Sequence, residues 1–180
     1  MFVIQSALLG IVIVTYICVS YYTVLENMQT SSRNLLQLYG KELENKLENA
    51  DMLLERLIYK NNDYDMLQSE KESERYYASI EIKKIIQEQI TYDQYVDAVV
   101  IGDSTYGSCL DYENSDMAYQ EREDLRQYAL ERAKEGSAKA EWMIVRIGLQ
   151  NYVSKMYVWQ GRSAGIFISV DHFMDNVTKK

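Results

Sequence analysis

The residues best suited to chemistry lie close together near the C-terminal end: Trp142, Arg146, Tyr152 and Tyr157, with Lys155 between the two tyrosines. An indole, two phenols and a guanidinium are the materials of a small-molecule pocket, in which aromatic walls supply contact and a few polar groups fix orientation. Arg146 follows Trp142 by four positions, so on a strand the two share a face. A guanidinium beside aromatic rings suits a small carboxylate through charge-assisted hydrogen bonds. These four residues are therefore the expected ligand-binding set. The plainer alternative is that Trp142 packs in a core and Arg146 faces solvent.

Catalytic chemistry is poorly provided for. The chain has one histidine, His172, near its C-terminal end, and nothing around it suggests a serine or cysteine nucleophile. The glycines Gly102, Gly107, Gly161 and Gly165 are isolated and form no phosphate-binding loop. Asp171, His172 and Asp175 are conceivable metal ligands, but a capped helix start explains them more simply. Asp111, Glu113 and Asp116 read as a solvated acidic loop. The expectation is no catalytic site, no metal and no cofactor.

The elements that must position these residues begin with the N-terminal segment. Phe2 to Leu25 contains no charged residue. About 24 residues at ~1.5 Å rise give roughly 36 Å, enough to cross ~30 Å of hydrocarbon. The run has no basic residue before it and no small-x-small cleavage pattern, which favours an anchor over a cleaved signal peptide. With no lysine or arginine ahead of the span, the charge rule for orientation has little to act on. The short head and long acidic tail place the N-terminus inside and the bulk outside.

Leu36, Leu43, Ala50 and Leu57 then recur every seven residues, and Leu47 and Leu54 fall four after Leu43 and Ala50. This predicts an amphipathic helix from Ser31 to Lys60, packed on its own domain, or with part of the stripe also pairing with a second subunit. Residues 60–73 are polar, and a loop or short irregular helix is expected there. A helix is predicted from Glu74 to Gln89, with Ile82, Ile85, Ile86 and Ile90 inward. Strands are predicted at 97–103, 108–112, 141–147, 151–159 and 164–170. A helix at 116–135 separates the second from the third, capped by Ser115 or Asp116 and closed by Gly136. Residues 160–163 are expected to form a turn, and Asp171 to cap a final helix starting at His172. The fold class is α+β with one antiparallel five-stranded sheet.

Composition narrows the partners. There are 19 basic and 27 acidic residues, a net charge of −8. That balance argues against a phosphate-binding basic face, so no nucleic acid is expected. Cys18 lies in the apolar segment and Cys109 is the other cysteine, so the domain must hold together without an internal disulfide.

The order of these pieces resembles the Cache family of extracytoplasmic sensor domains, which carry a PAS-like sheet after a long N-terminal helix in bacterial sensor histidine kinases and chemoreceptors. The resemblance rests on four stretches. The apolar span runs straight into the helix 31–60. Tyr95 to Asp103 precedes a glycine-containing turn. Trp142 follows soon after Gly136, and Gly161 to Asp171 is similar to the family's closing hairpin and strand. The amino-acid-binding subset uses an Arg, a Trp, Tyr residues and a downstream Asp, and the full motif is not placed here.

The resemblance implies residues 1–25 as a transmembrane helix, 26–175 as the extracytoplasmic sensor domain, and 176–180 as the start of a truncated following segment. It implies a membrane receptor of a two-component or chemoreceptor type, with its output module outside this chain. The expected partners are the lipid bilayer, a small-molecule ligand and a second copy through the N-terminal helix. A type IV pilin-like subunit is the alternative. Against it, Gln5 stands where such helices usually carry a glutamate.

Overall fold

The computed structural model describes residues 2–92, 95–113, 117–136 and 140–172. The chain is α+β, with a long N-terminal helix and a five-stranded open antiparallel sheet. Helix α1 spans Phe2–Tyr59, α2 Asn62–Met66, α3 Glu72–Tyr92 and α4 Tyr119–Lys134. Strands are β1 Ala98–Asp103, β2 Ser108–Glu113, β3 Met143–Ile147, β4 Gln150–Trp159 and β5 Arg162–Ser169, in the order β2-β1-β5-β4-β3. Two compact units divide the chain, Met1–Asn45 and Lys46–Lys180.

The first unit holds most of α1. Leu8, Val14, Ile17 and Val24 are all exposed there. Among the described residues α1 is the one helix long and apolar enough to cross a membrane. The seven-residue stripe divides along its length. Leu36 is 72% exposed, whereas Ala50, Leu54 and Leu57 are buried and Leu47 packs against them.

In the second unit the sheet is covered on both faces. Period-two alternation sends Val99 and Ile101 of β1, and Ala164, Ile166 and Ile168 of β5, to one face. There they meet Leu54 and Leu57 of α1, Tyr64 of α2, and Ile82, Ile86 and Ile90 of α3. Ala98, Val100, Tyr152, Met156, Val158 and Phe167 point the other way, against Leu125 and Ala129 of α4. Phe167 is edge-on to Tyr128 and Tyr152, at centroid distances of 6.1 and 6.0 Å, a geometry favoured by ring quadrupoles. Cover on both faces explains why β1 and the first seven residues of β5 are buried without interruption.

Helix α4 lies close on its face because Gly102 allows it. A Cβ there would stand 3.0 Å from the Ala129 carbonyl carbon and 2.9 Å from Ser163 Oγ. Ser163 is fully buried and donates to the Ala129 carbonyl oxygen at 2.7 Å. Cys109 is half-buried at the border of the same layer. Burial, together with the nearby Asp111 carboxylate, pushes its thiol up to about 12.

Several boundaries differ from the sequence reading. The polar stretch after α1 does form a short helix, capped by Asn61 Oδ1 accepting from the Asp63 amide at 2.9 Å. Helix α4 starts at Tyr119 with no side-chain cap hydrogen bond at Ala118, and Ser115 and Asp116 lie outside the described residues. Gly136, at φ 87°, stands just past its end, in the conformation glycine adopts most readily. The expected turn at 160–163 shortens to Gln160 and Gly161, with φ of 49° and 78°. Positive φ at both central residues marks the tight hairpin whose twist matches its strands. Arg162 and Ser163 are thereby strand residues. The last helical turn begins at 170, with the Ser169 hydroxyl near the His172 amide at 3.4 Å, so Ser169 rather than Asp171 stands at its start. Residues 173–180, with Asp175 and the segment 176–180, lie outside the described residues.

An ionic clamp fixes α4 to β2. Arg126 donates to Asp111 and Glu123, each at 2.8 Å, and Arg122 pairs with Glu113 at 2.8 Å. Burial of Asp111 works against its ionisation, but the Arg126 hydrogen bond prevails and its carboxyl stays below the usual carboxylate range. A carboxylate with a depressed folded-state pKa adds stability above its unfolded value, and this is lost as pH falls toward the folded value. Asp111→Asn should lower stability by about 1–3 kcal/mol at pH 7, as expected for a lost hydrogen bond to a charged group. Melting from pH 7 down to 3 should show a shallower acid limb in the variant. Parallel acid limbs in both proteins would show that this carboxylate carries no linked stability.

Candidate functional site

A cavity of about 690 Å³ opens on the sheet face that carries α1 and α2. Its principal walls are Tyr59 of α1, Tyr64 and Asp65 of α2, Tyr157 and Trp159 of β4, and Arg162 of β5. All belong to the unit Lys46–Lys180. Odd-numbered positions of β4 face these helices, which places Tyr157 and Trp159 together. Trp159 pairs with Arg162 across the Gln160-Gly161 hairpin, and Arg162 pairs on its other side with Asp103. The hairpin therefore aims an indole and a guanidinium at the same opening.

Arg162 is the central charged group. It is 6% exposed, and its Nη1 donates to the Tyr64 carbonyl oxygen at 2.6 Å. Nη2 donates to Asp65 Oδ1 at 3.2 Å, and the guanidinium stacks 4.4 Å from the centroid of the Tyr64 ring. These contacts tie the short helix α2 to the sheet. Arg162 Nε is buried without a partner, and Asp103 Oδ2 is in the same condition. Burial pushes the Tyr64 phenol up to about 12, with Arg162 opposing the shift and Asp65 and Asp103 reinforcing it. The phenol is therefore uncharged at neutral pH.

A second ion pair stands on the same face. Lys155 Nζ lies 2.6 Å from the Asp51 carboxylate, and the Tyr157 hydroxyl donates to Asp51 at 3.4 Å. Partial burial draws the lysine pKa down, but the bond to Asp51 outweighs it and the net shift is upward. Tyr157 meets Tyr59 edge-on at a centroid distance of 6.1 Å.

The residues singled out from sequence are distributed differently. Tyr157 is a cavity wall. Trp142 is half-buried and packs against the α1–α3 core cluster. Arg146 is exposed on β3 opposite Asn151. Six positions of β4 separate Asn151 from Tyr157, roughly 20 Å at ~3.3 Å per residue, so Arg146 and Tyr157 do not share a pocket. Tyr152 is fully buried on the α4 face, where its hydroxyl donates to Glu121. Burial, reinforced by this carboxylate, pushes its phenol pKa upward. The odd spacing between positions 152 and 157 puts the sheet between the two tyrosines.

Arg162, Asp65, Tyr59 and Trp159 were not among the expected site residues. Arg162 was hidden by its place next to a glycine turn, where arginines are usually solvated. His172 Nδ1 stands 2.8 Å from Asp97 Oδ1, and Asp97 Oδ2 accepts from the Ser169 amide at 2.6 Å. Asp111 and Glu113 of the acidic stretch face arginines of α4. Among the described residues no group of three or more His, Cys, Asp or Glu could hold a metal.

No protein-family model matches the chain, and no curated protein matches it.

Arg162 can be tested as the tie between α2 and the sheet. Arg162→Met keeps most of the aliphatic stem but removes both bonds. It leaves Asp65 in water and the Tyr64 carbonyl oxygen without this donor. Amide hydrogen exchange should accelerate at least tenfold across residues 62–68 while β1 and β5 keep their protection. Unchanged exchange in that segment would remove Arg162 from this role.

Proposed function

We propose that this chain is the extracytoplasmic ligand-sensing part of a membrane-bound receptor, anchored by the first part of α1. The cavity on the α1–α2 face of the sheet carries the reading. It combines aromatic walls, a buried arginine with an unused donor, and a volume typical of small-molecule sites. The apolar, exposed first unit of α1 supports an anchor. A five-stranded antiparallel sheet preceded by a long helix is compatible with a Cache-like sensor. The site recognises rather than transforms its ligand, because its ionic groups are engaged with one another.

The N-terminus lies inside and the acidic domain outside. The exposed upper part of the seven-residue stripe, around Leu36, is covered by a second copy of the chain. The pilin-like alternative shares the long helix but assigns no role to a cavity.

Three measurements on the full chain test this reading. It should stay with membranes through carbonate extraction, and protease added outside spheroplasts should cleave the domain. Extraction into the soluble fraction overturns the anchor. A cysteine at position 36, in a Cys18→Ala background, should crosslink between copies, and Leu36→Lys with Cys18 retained should raise the monomer fraction severalfold in crosslinking through Cys18. No crosslink overturns the pairing. A thermal-shift screen of small metabolites should yield at least one ligand acting below about 1 mM; if none acts, the sensor reading fails.

A further inference from the structure

We infer that the ligand of this cavity is a neutral saccharide, stacked on Trp159 and Tyr59 and hydrogen-bonded by Asp65 and Arg162. The inference rests on the sensor reading above and adds the ligand's chemistry to it.

The cations around the cavity are already paired. The Arg162 guanidinium is paired with Asp65, and the Lys155 ammonium with Asp51. An anionic ligand would bring its charge to a guanidinium already paired with Asp65, and would meet the Asp65 carboxylate at the cavity wall. Like charges at such range disfavour it. An organic cation needs ring faces free to receive it. The protein's own cations already lie over two of the four rings: Arg162 over Tyr64 at 4.4 Å and Lys155 by Tyr157 at 5.5 Å. The remaining rings, of Tyr59 and Trp159, are 70% and 58% exposed, too wet for a closed cationic cage.

What is left favours a ligand that is uncharged, has an apolar face, and both donates and accepts hydrogen bonds. A pyranose has these properties. Its hydroxyls donate to the free valences of Asp65, whose side chain is 77% exposed, and accept from the arginine beside it. Its C–H face covers an open indole or phenol ring. The Nε of Arg162 is unpartnered, as are those of Arg122, Arg126 and Arg132; what the cavity offers is its nine-tenths-buried guanidinium, of whose five N–H donors the Tyr64 carbonyl oxygen and Asp65 take two. A volume of about 690 Å³ takes a monosaccharide or a short oligosaccharide.

The test uses the full chain in phospholipid nanodiscs, because glycoside detergents carry a sugar headgroup of their own. Calorimetry is run with glucose, galactose, xylose, maltose and cellobiose, and in parallel with alanine, succinate, choline and adenosine. At least one saccharide should bind with a Kd below about 1 mM. Trp159→Ala and Asp65→Asn alter exposed side chains, so both variants should fold. Each should weaken that saccharide at least tenfold, about 1.4 kcal/mol. If alanine, succinate, choline or adenosine binds and no saccharide does, the sensor reading stands and the saccharide assignment falls. If no probe of either set binds, this assignment falls, and the sensor reading is then decided by the wider metabolite screen. Saccharide binding indifferent to both substitutions places the sugar elsewhere and overturns the site.

Discussion

Every side chain of the inner strands β1, β5 and β4 must choose a face, because helices cover both. That constraint organises the second unit. On β4 it sends Tyr152, Ser154, Met156 and Val158 toward α4, and Val153, Lys155, Tyr157 and Trp159 toward α1 and α2. On the α4 face Gly102 lets the helix backbone come within contact distance, and Ser163 satisfies an α4 carbonyl. The other face does not close. Its cover is three separate helical pieces, and near the β4–β5 hairpin their ends leave a cavity edged with aromatic rings. The asymmetry between a face covered by one helix and a face covered by three separate ones is thus the physical origin of the candidate site.

Two ion pairs hold that imperfect cover in place. Asp51 with Lys155 fixes α1 to β4, and Arg162 with Asp65 and the Tyr64 carbonyl fixes α2 to β5. Neither pair contributes much merely as a surface charge contact. Their value is positional, since each joins an element of the cover to a strand whose own register is set by four or more ladder partners. The buried Arg162 has more donors than the fold uses, a costly arrangement.

Much of the architecture was legible in the sequence, for identifiable reasons. The isoleucines of α3 and the β4 alternation are periodic signals, and both elements formed within a few residues of their expected bounds, while the charge-free run to Leu25 became the first part of the single helix α1. The site was less legible. Parity alone separates Tyr152 from Tyr157, but the separation of Arg146 from Tyr157 needs the β3–β4 register, which follows from the two-residue turn at Gly148 and Leu149. Arg162 was obscured for a different reason. Gln160 takes a positive φ that glutamine seldom adopts, so the hairpin is tighter than its residues announce and the arginine enters the strand. Tyr59 and Asp65 sit at the ends of helices, where boundaries are hardest to assign.

The half-buried Cys109 has a practical side. Thiol reagents react with the thiolate, and a group raised to about 12 offers almost none at neutral pH. Cys18, the other cysteine, belongs to the apolar helix. The folded domain is thus nearly silent toward maleimides and disulfide reagents. A single cysteine introduced at an exposed position of α2 would carry a fluorophore or spin label almost alone, with no need to rebuild the α4 layer around a replaced Cys109.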